Sequence, residues 1–187
     1  MDGLLIKSTG EPATRDPSFW KYFKPIRGNL DRLAWCFRDR PWWGEPADFR
    51  DDHAAMMDFD GGSMTSLQLW SPGSLSRYAD RFSEESIEMW GVDPDRHDPP
   101  AVAALYTAAP WNEADEVIRR HASVWMRYTD GACWEIYAEG RDLPDFLARQ
   151  LRRRPDVEAH PSRCDAREEA FRAAGLDATW EALEGRG

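Results

Sequence analysis

Two hydrophobic periods take turns along this chain. In LDRLAWCFR, Leu33, Trp35 and Phe37 alternate with Arg32, Ala34, Cys36 and Arg38, the period of two that marks a strand with one buried face. The opening LLIKS reads as a short edge strand, and SIEMWGV as another strand. HAAMMDFDGGSMTSLQLWSP reads as a hairpin with DGGS at its tip, although its first limb could instead end a short helix begun at Asp48. SVWMRYTDGACWEIYAEG is the clearest hairpin: two strand-like runs flank Asp130-Gly131, a pair suited to the positive φ angles of a type I′ turn.

Between these runs the spacing widens to that of helices. DPSFWKYF offers Asp16 as N-cap and Pro17 at the first helical position, and Pro25 and Gly28 close it. After Ser74, a capping candidate, Leu75, Tyr78, Ala79 and Phe82 fall at i, i+3, i+4 and i+7. Asp98 with Pro99 and Pro100 starts a helix through AVAALYTAA. Asn112 can cap NEADEVIRRHA, whose Glu113, Asp115 and Glu116 suit the positive end of the helix dipole. DLPDFLARQL carries the stripe Leu143, Phe146, Leu147 and Leu151, and Cys164-Asp165 opens AREEAFRAA, stopped by Gly175. LDATWEALEGRG adds a turn of surface helix with Trp180 docked. The pattern predicts an α+β chain: one domain over residues 1–187, with 176–187 peripheral, and a mainly antiparallel sheet of about five or six strands with helices packed on it.

If Asp130 and Gly131 are the whole turn, Thr129 pairs with Ala132, Arg127 with Trp134 and Trp125 with Ile136, and Glu135 stands opposite Met126. Each face then holds bulky apolar groups and one charge, so the hairpin is central and covered on both sides over part of its length. Arg127 can lie over the ring of Trp134. Glu135 has no such neighbour within the hairpin. Buried and unpaired, it would hold a proton near neutral pH, the condition of a general acid. The more ordinary readings give it an arginine from another element, or a face that is wet at that point.

Ten tryptophans imply a core and cleft lining of large amphipathic rings. No apolar run approaches the roughly 18 residues of a membrane helix, and MDGLLIKSTGEP has no secretory pattern. Cys36, Cys133 and Cys164 are odd in number and far apart, which argues for a reducing compartment and cytoplasmic residence. Lysine occurs only at positions 7, 21 and 24, against 21 arginines, a codon bias that suggests a high-GC bacterium. The net charge of −10 is uneven: residues 40–120 carry 7 basic and 16 acidic groups. Such a surface repels phosphate backbones, so a general nucleic-acid role is disfavoured. The basic run RQLRRRP at 149–155 suits a helix C-terminus.

Chemical motifs are sparse. GxSxG, Walker A, GxGxxG and HExxH are absent. His160 and Cys164 have a ligand-like spacing, but a single pair across a proline is weak for zinc, and no metal or cofactor is predicted. DPDRHD at 93–98 imitates a calcium loop but has Asp98 where glycine is needed and Ala104 where glutamate is needed. Cys36 and Cys133 read as inert core thiols. Trp42 and Trp43 cannot both point inward from an extended segment. With Glu45, Asp48, Asp51 and Asp52 beside them they make a candidate interface anchor with an acidic rim, although both indoles could simply lid the core.

Two functional classes remain. One is a non-catalytic binding protein that presents an acidic, tryptophan-anchored surface to a basic protein partner, as an immunity-type inhibitor does to a toxin domain; no nucleic acid or membrane is involved. The other is a small enzyme or small-molecule-binding domain with an aromatic-lined pocket, using Glu135 or the Asp51, Asp52 and His53 cluster.

Overall fold

A computed structural model of the protein describes residues 1–9, 19–38, 57–60, 66–79, 86–129 and 132–185. The helix start at Asp16-Pro17, the DRPWWGEP loop and residues 61–63 of the DGGS tip lie outside the described residues. The class is α+β, and among the described residues the strands form one antiparallel sheet of eight in the order β3-β4-β2-β5-β6-β7-β1-β8. The strands are β1 (Asp2–Ser8), β2 (Ala34–Arg38), β3 (Met57–Asp60), β4 (Ser66–Trp70), β5 (Ile87–Val92), β6 (Val124–Thr129), β7 (Cys133–Ala138) and β8 (Val157–Arg163). The helices are α1 (Phe19–Phe23), α2 (Arg27–Asp31), α3 (Ser74–Tyr78), α4 (Pro99–Ala108), α5 (Ala114–His121), α6 (Asp142–Leu151), α7 (Arg167–Ala173) and α8 (Asp177–Glu184).

The sheet is larger than the sequence pattern suggests, for two reasons at one end. LLIKS is not an edge: β1 lies between β7 and β8, and Leu5 is wholly buried. VEAHPSR, which carries no apolar alternation, is the true edge strand, β8. An edge strand needs neither strong patterning nor a donor at every position. Cys164 N–H donates to the Met1 carbonyl at 3.2 Å, so alternate amides face β1 and the nitrogen of Pro161 faces outward. The missing donor there costs no sheet bond and discourages a further strand.

One face of the sheet is covered by α1, α2, α3 and α6. The four central strands meet these helices with Trp35 and Phe37, Ile87 and Met89, Met126 and Tyr128, and Trp134 and Ile136, all buried. Phe19 and Phe23 stand edge-on to Trp134 at 5.4 and 5.3 Å, and Tyr128 lies 4.8 Å from it. The opposite face is covered in two parts. Val102, Ala103 and Ile118 of α4 and α5 pack on Cys36, Leu69, Trp90 and Trp125. Ala170 and Phe171 of α7 pack on Leu5 and Cys133, with Trp180 of α8 behind them. LDRLAWCFR therefore has both faces buried, since Ala34 and Cys36 are as enclosed as Trp35 and Phe37. Gly91 of β5 allows a close approach here: a Cβ would lie 2.6 Å from the Leu33 side chain.

Several local expectations shift by a residue or two. Ser74 begins α3, and the residue before it is Gly73 with φ 84°. A 3-10 turn over Trp111–Glu113 precedes α5, so Asn112 is not its cap. α7 starts at Arg167, two residues beyond Asp165, and Gly175 at φ 66° ends the turn after it. In α6, Leu147 and Leu151 are buried but Phe146 is 38% exposed.

Candidate functional site

The hairpin of β6 and β7 decides where the charged side chains go. Its connection spans three residues, since Thr129 pairs with Cys133 and Ala132 N–H donates to the Thr129 carbonyl at 2.7 Å. The two-residue turn expected from Asp130-Gly131 would place every partner one position away, and a one-residue slip exchanges all side-chain neighbours. Glu135 accordingly faces Arg127, not Met126, and Trp134 faces Tyr128. Arg127 stacks over Trp125 of its own strand, 4.0 Å from the ring centre, rather than over Trp134.

With this register, one row of the sheet carries a charge from each of the four central strands: Arg38, Glu88, Arg127 and Glu135 are successive cross-strand neighbours. The signs alternate. Arg38 Nη1 donates to Glu88 Oε2 at 2.6 Å, and Arg127 Nε and Trp125 Nε1 donate to Glu88 Oε1 at 2.9 and 3.1 Å. Burial pushes the Glu88 carboxyl up, but the guanidinium groups of Arg127 and Arg38 outweigh it and hold the group below the usual carboxylate range. Arg127 also reaches Asp115 of α5 at 3.4 Å.

Glu135 ends the row on β7 with no exposed surface. Its partner comes from another element. Arg167, the first residue of α7, binds both carboxylate oxygens, with Nε at 2.7 Å and Nη2 at 2.6 Å. Tyr137 Oη donates to the same carboxylate at 2.6 Å and lies 3.2 Å from Ser162 Oγ. Burial, and then the charge of Glu135, push the Tyr137 hydroxyl far up. Burial alone would lower the pKa of Arg167, but Glu135 more than reverses this and raises it. Bidentate pairing of this kind fixes the orientation of a buried carboxylate. The row joins strands and docks α7 and α5; its carboxylates are engaged by guanidinium groups.

The remaining candidates separate. Trp42, Trp43, Glu45, Asp48, Asp51, Asp52 and His53 all lie outside the described residues. His160 Nε2 faces Glu158 at 3.4 Å, while Cys164 Sγ accepts from the amino group of Met1 at 3.4 Å. Among the described residues no three His, Cys, Asp or Glu side chains are grouped to hold a metal ion. In the 93–98 segment, Asp93 accepts the Asp95 amide at 3.1 Å and the Asp98 carbonyl accepts the first bond of α4, as a solvated loop before a helix does. Among the described residues no helix is long and apolar enough to cross a membrane.

Two surface features escaped the sequence reading. The outer side of α4 is apolar: Ala101, Ala104, Leu105 and Ala108 are exposed, Leu105 by 52%. It runs into a groove of about 540 Å³ between α4 and α5, bordered by Pro110, Val117, Glu113, Glu116, Arg120 and His121. The signal was present, because PPAVAALYTA contains no charged residue and so has no side suited to water. A second groove of about 550 Å³ lies where α6, α7 and β8 meet, lined by Arg141, Arg152 and Arg163 together with Asp2, Asp145 and Glu169.

Comparison with protein-family models, with curated proteins and with solved structures finds no match for this chain.

Proposed function

We propose that the protein is a non-catalytic binder that captures a basic protein partner through an acidic surface, in the manner of an inhibitor that masks a toxin domain. The supporting observation is the placement of unpaired acid. Among the described residues, Asp95, Asp98 and Glu113, around the ends of α4, make no ion pair, whereas the arginines nearby are engaged: Arg96 by Glu139, and Arg119 and Arg120 by Glu116. On α6 the balance differs: among the described residues Asp142 and Asp145 make no ion pair, but neither do Arg141, Arg149, Arg152 and Arg153, which offset them. By sequence, most of the net negative charge lies in residues 40–120, the same third that contains Trp42, Trp43, Glu45, Asp48, Asp51 and Asp52, although Asp177, Glu181 and Glu184 of α8 also have no base on their helix. A field of one sign accelerates capture of an oppositely charged protein. The alternative, an enzyme using Glu135, has weaker support because both oxygens of that carboxylate are taken by Arg167.

Co-expression with the products of adjacent genes tests the proposal. The expected result is a stoichiometric complex with a basic protein whose association slows about tenfold or more between low and physiological salt. Replacing Glu45, Asp48, Asp51 and Asp52 by Lys should slow it further. A complex with an association rate indifferent to both salt and these replacements would overturn the reading.

A further inference from the structure

We propose that the outer side of α4, with the groove between α4 and α5, is the docking site for an amphipathic, cationic helix of the partner. The inference rests on the binding role proposed above and specifies its contact. Two large apolar side chains are exposed among the described residues, Leu105 and Phe146. Their surroundings differ. Phe146 stands among charged α6 residues of both signs, so an apolar partner there would have to desolvate Asp142, Asp145, Arg149 and Arg153. Leu105 stands among Ala101, Ala104 and Ala108, whose small side chains leave α4 open to close approach by another backbone. The groove beside it runs on to Val117, with His121 and the Glu116-paired Arg120 also on its wall.

The occupant follows from shape and charge. α4 is 10 residues long, about 15 Å, so it matches roughly three turns of a second helix. Unpaired acids bracket this apolar stretch, with Asp95 and Asp98 at its N-terminal end and Glu113 at its C-terminal end. A complementary helix has leucine-like residues at i, i+3, i+4 and i+7 and Lys or Arg at both ends, which is the helix-in-groove mode of recognition. Acid at the rim sets orientation and approach, while Leu105 supplies the central contact.

The full chain can be titrated with a fluorescent synthetic helix that has leucines at those four spacings and lysines elsewhere, and with a scrambled peptide of identical composition. The patterned peptide should bind at least about tenfold more tightly than the scrambled one, a difference of about 1.4 kcal/mol. Leu105→Arg should remove that difference. Ala108→Arg, at an exposed position, should do the same, and for both variants an unchanged unfolding midpoint shows that folding is intact. Equal binding of the two peptides, or a preference that survives both substitutions, would overturn the docking site. So would a concentration-dependent dimer of the free protein abolished by Leu105→Arg, which would place a second copy on this surface. The salt-sensitive complex with a basic protein is measured separately. If that complex persists undiminished in Leu105→Arg, the docking inference fails and the binding role stands.

Discussion

Where α1, α2, α3 and α6 cover the four central strands, the contact is made chiefly by aromatic and aliphatic side chains, with Trp35 Nε1 donating to the Leu30 carbonyl at 2.9 Å; on the reverse of the same strands runs Arg38-Glu88-Arg127-Glu135. Both surfaces are enclosed, yet they are stabilised differently. The apolar side gains from area removed from water, in proportion and without direction. The charged side gains only if every member keeps its partner, because a lone ion in such a place costs several kcal/mol. The first tolerates shape changes in degree, and the second fails by whole partners. The charged row also ties layers together: Arg167 fastens α7 to β7, and Asp115 fastens α5 to β6.

The sharpest way to break this comparison is to delete one large group from each side. Trp134→Ala on the apolar side should destabilise by about 3–5 kcal/mol, read from chemical denaturation, because a wholly packed indole leaves a cavity. Arg167→Met should cost a similar amount, about 3–5 kcal/mol, by leaving Glu135 buried without its counter-charge. The difference lies in rescue. Adding Glu135→Leu to Arg167→Met should recover most of the loss, whereas no single polar change should restore Trp134→Ala. Failure of the double variant to recover would mean that α7 docks for some other reason.

A smaller effect follows from pH. The folded pKa of Glu88 is lowered, with burial outweighed by Arg127 and Arg38, while the unfolded chain has the ordinary value of about 4.3. The unfolded state therefore binds the proton more readily. The stability contributed by Glu88 is present in full above about pH 4.3 and is lost as the pH falls from there through the lowered folded value. Denaturation midpoints measured from pH 7 down to about 3 should show this fall, and Glu88→Gln should start lower at pH 7 and slope less. The smallest signal concerns the thiols, since labelling leaves the fold alone. Burial pushes Cys36 up to about 12, and burial followed by the Glu135 charge raises Cys133, whereas Cys164 is half-exposed. One thiol per chain should react with a disulfide reagent at pH 8 in the native protein, and all three after unfolding.

Much of the architecture was readable from periodicity. β2 carries clear alternation, β6 and β7 are marked by the Asp130-Gly131 pair between apolar runs, and α4, α5 and α6 begin near residues that suit a helix start. β8 was not readable, because one covered side and an outward proline leave almost no hydrophobic trace in VEAHPSR. Nor was the partner of Glu135. Arg167 is 32 residues away, and of 21 arginines nothing local marks it as the one that α7 brings over β7. The row of charges depended on a single turn: Asp130-Gly131 signals a hairpin, but whether Ala132 joins the connection is a question of backbone geometry that residue type does not answer.

Side-chain chemistry and spacing along the chain were enough to specify an α+β body, a tryptophan-rich interior and an acidic middle third, because each follows from local repetition or simple addition. Which strands became neighbours, which glutamate met which arginine, and which apolar helix side was left in water depended on the closing of the eight-stranded sheet. Those are relations between segments far apart in sequence, and they exist only once the chain has folded and buried charges such as Glu88 and Glu135 have found opposite ones.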